Sequence, residues 1–257
     1  MGGQYVLPRH LVAGLVWSAL ARRRRSFVSD ALRVMATVEA PELVGAENIP
    51  RRGPCIVTCN HYTRPGFGSW WLTLSVTAAV ATCRAAGAER EVHWVIADAW
   101  TYPDRWRSHL ITPATRWAFR RVARTYDFVS MPPMPPRPHE VAARASAVLQ
   151  TVRLARALAG RGGMVGLAPE GGDMPDGLGR PPAGAGEFIG LLAAVGLPVL
   201  PVGVSEADDR LVISFGPTFI PALPSARAER DASVSGQVMA AIARRLPIAF
   251  PGAQAYR

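Results

Sequence analysis

Two short segments hold most of the residues whose types and spacing could do chemistry. In CIVTCNHYTRPGFGSWW (55–71), an apolar run ends in Asn60-His61, followed by a Pro/Gly turn and an apolar stretch of helical length. In GLAPEGGDMPDG (166–177), a second apolar run ends in Pro169-Glu170-Gly171-Gly172-Asp173. A lone histidine is more often structural than catalytic. His61, directly after a strand-like run and at a helix entrance, is nevertheless better placed to act as a base than His10, His93, His109 or His139. The glycines after Glu170 permit positive φ and let a ligand approach the backbone. Cys55, Cys59 and Cys83 are odd in number, form no C-x-x-C pair and lie in apolar segments. They are expected to be buried free thiols, not disulfides or metal ligands.

These residues need a frame. Apolar, partly β-branched runs at 54–60, 92–98, 164–170, 198–204 and 211–216 read as strands. Segments 67–87, 104–124, 139–159, 184–196 and 231–246 read as helices, the second broken or kinked at Pro113. MPPMPPRP (131–138) reads as a stiff, extended loop. Strands alternating with helices predict an α/β fold: one layered domain with a mainly parallel sheet flanked by helices, over 41–257. Residues 1–40 form an N-terminal helical extension. In such sheets, ligands sit at the carboxyl ends of the strands, where both reactive segments fall. The 257 residues, 49% of them hydrophobic, are long and apolar enough for an ordinary core and exclude global disorder.

Charge is distributed unevenly. The net charge is +10 and every basic side chain is arginine. Residues 1–124 hold 17 arginines against 8 acidic residues, the rest 12 against 11, and all seven tryptophans lie in the first half. Arginine with tryptophan suits an anionic membrane surface. Nucleic acid is not the expected partner, since no helix-turn-helix, zinc or RRM signature is visible. HLVAGLVWSALARRRR (10–25) is too short to span a bilayer and carries its charges after the apolar run, unlike a secretory signal. It reads as an amphipathic helix, either packed on the domain or dipping Leu11, Leu15, Trp17 and Leu20 into lipid. In RWAFRRVAR (116–124), a helix would align Arg116, Arg120 and Arg124 beside Trp117 as a second interfacial face.

Over roughly residues 41–216 the chain resembles the lysophospholipid/glycerol-phosphate acyltransferase superfamily. Asn60-His61 matches the start of its Asn-His-x-x-x-x-Asp motif, and Gly45-Ala46-Glu47-Asn48-Ile49-Pro50 matches the lead upstream. Ala168-Pro169-Glu170-Gly171 matches its Pro-Glu-Gly motif, and Leu197-Pro198-Val199-Leu200-Pro201-Val202 its later Pro-containing strand. Each match alone is weak; the four occur in order. The departures are Gly66 at the motif aspartate, no arginine in TYDFVSMPP (125–133), and Gly172 and Asp173 where the family has Thr and Arg.

The resemblance implies a glycerol-phosphate-acyltransferase-like fold and transfer of a fatty acyl group from a thioester to a hydroxyl of a lysophospholipid-like acceptor in phospholipid biosynthesis, as in 1-acylglycerol-3-phosphate O-acyltransferases. Acyl-CoA or acyl-carrier protein would be the donor, with no cofactor and no metal. It implies His61 and Glu170 as catalytic residues, and Asn60, Arg64, Pro169, Gly171, Gly172 and Asp173 as substrate-binding ones. Without a carboxylate at 66, His61 needs another orienting partner: a backbone carbonyl, or Asp173 or Asp98. Arg64 and Arg137 are candidates for phosphate contact. The expected location is the cytoplasmic face of the membrane, peripherally bound. The alternative is an altered acyltransferase-fold protein that binds lipid without turnover.

Overall fold

The apolar runs become inner strands because a strand covered by helices on both faces has no polar side. The computed structural model describes residues 5–257 apart from 101, 103, 134, 135, 173, 175 and 176. In chain order its strands are β1 (Glu42–Val44), β2 (Cys55–Cys59), β3 (Val92–Ala97), β4 (Val129–Met131), β5 (Met164–Leu167), β6 (Val199–Ala207) and β7 (Arg210–Phe215). They form one sheet in the order β1-β7-β6-β2-β5-β3-β4. Every neighbouring pair is parallel except the β6–β7 hairpin. Asp208 and Asp209 close that hairpin with φ of 50° and 61°, the two left-handed residues of a type I′ turn. The α/β class with a mainly parallel sheet is therefore as the sequence indicates.

The helices are α1 (Arg9–Leu20), α2 (Phe27–Met35), α3 (Ser69–Cys83), α4 (Arg105–Tyr126), α5 (Val141–Ala159), α6 (Ala185–Ala194) and α7 (Arg227–Ala243). Right-handed crossovers put α3 and α4 on one face as the chain moves from β2 to β3 to β4. The return through α5 and α6 to β5 and β6 covers the other. Alternation along β2 shows both layers: Val57 packs with α2 and α3, and its neighbour Ile56 with α5, α6 and α7. β2 and β5, at the centre, are buried at every position.

Several details differ from the sequence reading. β1 and β4, three residues each, have no counterpart among the expected strands. α4 runs unbroken through Pro113, which lies on the exposed side, where a missing N–H leaves no buried carbonyl without its partner. In α1, Leu11 and Leu15 pack inward on the domain, while Trp17 and Leu20 face out. Arg116 turns inward to Asp98 and Glu140, so it does not share an interfacial line with exposed Arg124. The Gly45–Pro50 lead has a structural use: Asn48 Nδ2 donates to the carbonyl of Phe215 at 3.1 Å, tying the end of β1 to β7. Cys55 and Cys59 are buried free thiols and Cys83 is half-buried. Burial pushes the Cys55 thiol up to about 12, too high for a nucleophile at neutral pH.

Candidate functional site

The carboxyl ends of β2, β5 and β3 lie side by side, and the loops that leave them carry the reactive residues. At the end of β2, Asn60 is buried and its carboxamide continues the sheet. Its Oδ1 accepts from the N–H of Val204 at 2.7 Å, and its Nδ2 donates to the carbonyl of Val204 at 2.9 Å. A side chain thus replaces the backbone pairing that β2 loses when it turns away from β6. Both polar atoms of Asn60 are engaged by protein, so its effect on a substrate would pass through the position of His61.

Beyond β5, the chain makes a tight turn in which the N–H of Gly171 donates to the carbonyl of Ala168 at 3.1 Å. Pro169 at the second place presets φ, and Gly171 at the fourth accepts a φ of 71°. This turn tips Glu170 into the interior, where it is 3% exposed. One carboxylate oxygen accepts from the backbone N–H of His61, and the other from the N–H of Gly179 at 2.6 Å. Burial raises the Glu170 carboxyl above its ordinary range, against the pull of the two N–H groups and of the His61 side chain. The carbonyl of His61 accepts from Met174 N–H at 3.4 Å, and Tyr62 forms a parallel bridge with Met174. The two sequence motifs therefore meet: Glu170 fixes the backbone from which the half-buried imidazole of His61 projects.

After His61 the chain folds into a second turn. Phe67 N–H donates to the carbonyl of Arg64 at 2.9 Å across Pro65 and Gly66, and Gly66 has φ 83°. Pro followed by a left-handed residue is the pattern of a type II turn. The family's aspartate position is thus the exposed corner of a turn.

Arg64 is held by Glu206. Its Nε and Nη2 donate to the two carboxylate oxygens, both at 2.5 Å, and Nη1 donates to the carbonyl of Pro65 at 2.9 Å. Tyr62 Oη donates to the same carboxylate, and the ring of Tyr5 lies 5.6 Å from the guanidinium. A phosphate at Arg64 would have to compete with this bidentate pair. Asp98, at the end of β3, pairs with Arg116 at 3.2 Å and Arg120 at 3.3 Å, which draws it toward α4. Arg137 is exposed before α5. Gly172 borders open space, and Asp173 lies outside the described residues. Glu206, Met174 and Gly179 are absent from the sequence-derived site. Glu206 and Met174 join the site through contacts across the fold, and Gly179 by folding back on Glu170 within the same loop, a closure no residue type announces.

Beside the His61 loop lies an open cleft of about 360 Å³, within the range of small-molecule sites. Thr63, Phe67 and Ser69 line it, with Trp70 and Trp100 half-exposed at its walls. Trp100 is positioned by α4: its backbone N–H donates to Thr115 Oγ1 at 3.2 Å, and its ring meets Phe119 edge-on. The lining of the cleft comes from the loop after β2, the first turn of α3 and Trp100 in the loop after β3. Among the described residues, no group of three or more His, Cys, Asp or Glu side chains is arranged to hold a metal ion.

No protein-family model matches the chain, and no curated protein matches it. Among solved structures, the 1-acyl-sn-glycerophosphate (LPA) acyltransferase PlsC from Thermotoga maritima is similar to it at 18% identity, over 82% of this chain and 75% of that one, with a TM-score of 0.44.

Proposed function

We propose that the protein transfers an acyl group from a thioester to a hydroxyl, with His61 as general base. The observation that carries this reading is the hydrogen bond from the His61 backbone to Glu170, which joins the Asn-His and Pro-Glu-Gly segments at the carboxyl edge beside a cleft. The imidazole takes the hydroxyl proton as the oxygen attacks the thioester carbonyl. Collapse of the tetrahedral adduct breaks the C–S bond, and the imidazolium returns the proton to the departing thiolate. General-base catalysis of this kind contributes about 10²–10⁴ in rate. Glu170 acts here as a positioning residue, since both its oxygens are bonded to backbone N–H groups. The donor is acyl-CoA or acyl-carrier protein, and the acceptor a lysophospholipid-like alcohol.

Gly66 favours a second reading, a lipid-binding relative without turnover, because the corner where the family carries a carboxylate has none. Thioester consumption by the purified protein, with lysolipid acceptors and long-chain acyl-CoA, separates the two. The first reading requires activity that falls at least about 10²-fold in His61→Ala. An inactive unmodified protein, or an active His61→Ala variant, refutes it.

A further inference from the structure

We propose that Tyr256 is a positioning residue for His61, acting through Gly179 and Glu170. The inference deepens the acyl-transfer reading and rests on it. The backbone of His61 is held on both sides by the loop that follows β5. Its carbonyl accepts from Met174 N–H at 3.4 Å, and its N–H donates to Glu170, whose other oxygen accepts from Gly179 N–H at 2.6 Å. His61 therefore keeps its place only as well as this loop does. Gly179 belongs to no helix or strand and has no β-carbon to restrict it, so its conformation must be fixed from outside.

That support comes from the segment after α7, which closes with a short 3₁₀ turn, Ala253–Tyr256. Leu178 N–H donates to the carbonyl of Pro251 at 2.8 Å. The two backbones touch: a β-carbon at Gly177 would meet the Pro251 carbonyl oxygen at 2.3 Å, and one at Gly252 the Leu178 carbonyl oxygen at 2.3 Å. Leu178 and Ala253 are buried in the same layer as α6 and α7. Tyr256 completes the link, its Oη donating to the carbonyl of Gly179 at 2.9 Å. The two peptide groups flanking Gly179 are thus both tied, one to Glu170 and one to Tyr256, which sets the φ and ψ between them. Arg257 anchors the segment in turn, since its Nη2 donates to the carbonyls of Ala243 and Leu246, at 3.1 and 2.6 Å, at the end of α7 and just beyond it. A chain of hydrogen bonds therefore runs from Tyr256 through Gly179 and Glu170 to the backbone of the base. Burial raises the Tyr256 hydroxyl above its ordinary range, so it remains a proton donor at neutral pH. Gly179 and Tyr256 are only half-buried, so water can replace a lost phenol. Total stability then changes little, while the fixed direction of the Gly179 N–H is lost.

The test uses Tyr256→Phe in the full chain, which keeps the ring and removes only the hydroxyl. Misplacing a catalytic group by about 1 Å costs on the order of 10²-fold in rate, and a loosened backbone should lower kcat about tenfold with KM unchanged. In a Glu170→Gln background the same substitution should cost markedly less, because the link it acts through is already broken. Amide hydrogen exchange, which needs no turnover, should quicken at Gly179 and His61 and stay level at Val57 in β2. A Tyr256→Phe protein with unchanged kcat, a loss that multiplies fully with that of Glu170→Gln, or exchange that is unchanged at His61 or faster at all three amides would overturn the proposal. An unmodified protein without turnover refutes the acyl-transfer reading instead, and the exchange measurements then decide whether Tyr256 positions His61.

Discussion

Gly66→Asp would put a carboxylate where the acyltransferase pattern has one, and the turn shows what that does. Gly66 has φ 83°, the left-handed value required at the third position of a type II turn after Pro65. A β-carbon there has room: the nearest atom it would meet is Arg64 Nη1, at 3.7 Å. The penalty is therefore in the backbone and not in packing. An L-residue in this region costs about 1–2 kcal/mol, with Asp and Asn at the low end because their side chains hydrogen-bond locally. Part of that is offset by a stiffer unfolded chain, worth about 0.4–1 kcal/mol. Gly66→Ala is thus expected to lose about 1 kcal/mol, and Gly66→Asn and Gly66→Asp less. At about 2–4 °C per kcal/mol for a chain of this size class, the melting point of Gly66→Ala should fall by a few degrees.

The same geometry sets the effect on activity. The new carboxylate would sit beside the Arg64 guanidinium, which is engaged by Glu206, and so should draw on that ion pair before it orients an imidazole. Turnover is expected to stay level or fall. Thermal unfolding of the Ala, Asn and Asp variants, with thioester consumption measured on each, checks both parts. A Gly66→Ala protein as stable as the unmodified one would refute the turn argument. A Gly66→Asp protein with raised turnover would show that position 66 reaches His61 after all.

Two further substitutions test the scaffold around His61. Glu170→Gln keeps the shape but can accept only one of the two backbone N–H groups, so it should cost about 2 kcal/mol. Burial raises the Glu170 carboxyl, so between the ordinary carboxylate range and the raised value the folded protein binds more protons than the unfolded chain, and this contribution to stability is lost as pH rises through that window. Glutamine does not titrate; the stability gap between unmodified and variant protein, from urea unfolding at a series of pH values, should therefore narrow as pH rises, and a widening gap would reverse the sign. Asn60→Ala strands the N–H and carbonyl of Val204 and should lose about 2–4 kcal/mol, with faster hydrogen exchange at the Val204 amide as the local check.

The parts of the fold that were legible in the sequence are those whose signal is local and long enough to repeat. β2, β5, β6 and β7 are runs rich in β-branched and aliphatic residues with Gly, Pro or Asn at one or both ends, β3 is a β-branched and aromatic run between charged residues, and all five emerge as strands. β1 and β4, at three residues, are shorter than the alternation that would reveal them. Pro113 does not end α4, because the carbonyl it leaves without a helical partner is that of exposed His109, which water can satisfy. Leu11 and Trp17 belong to one apolar segment, and which of them faces the domain depends on α1 packing against the rest of the chain, information that segment does not contain.

At the site, residue type and strand-end position pointed to Asn60, His61 and Glu170, but their division of labour lies in pairings across the fold. Glu206 is 142 positions from Arg64, and Glu170 is 109 from His61. No spacing rule anticipates such partners. Once they are known, four of the candidate side chains prove to be engaged by the fold itself. Asn60 closes the ladder to β6, Glu170 binds two backbone N–H groups, Arg64 is neutralised by Glu206, and Asp98 by arginines of α4. A carboxylate bonded in this way at both oxygens is a poor proton acceptor for a substrate, and a paired guanidinium a weak grip for a phosphate. In the acyl-transfer reading the proton must therefore pass through the His61 imidazole, and affinity must come chiefly from the apolar cleft between Trp70 and Trp100. Donor binding should accordingly depend more on acyl-chain surface than on ionic strength.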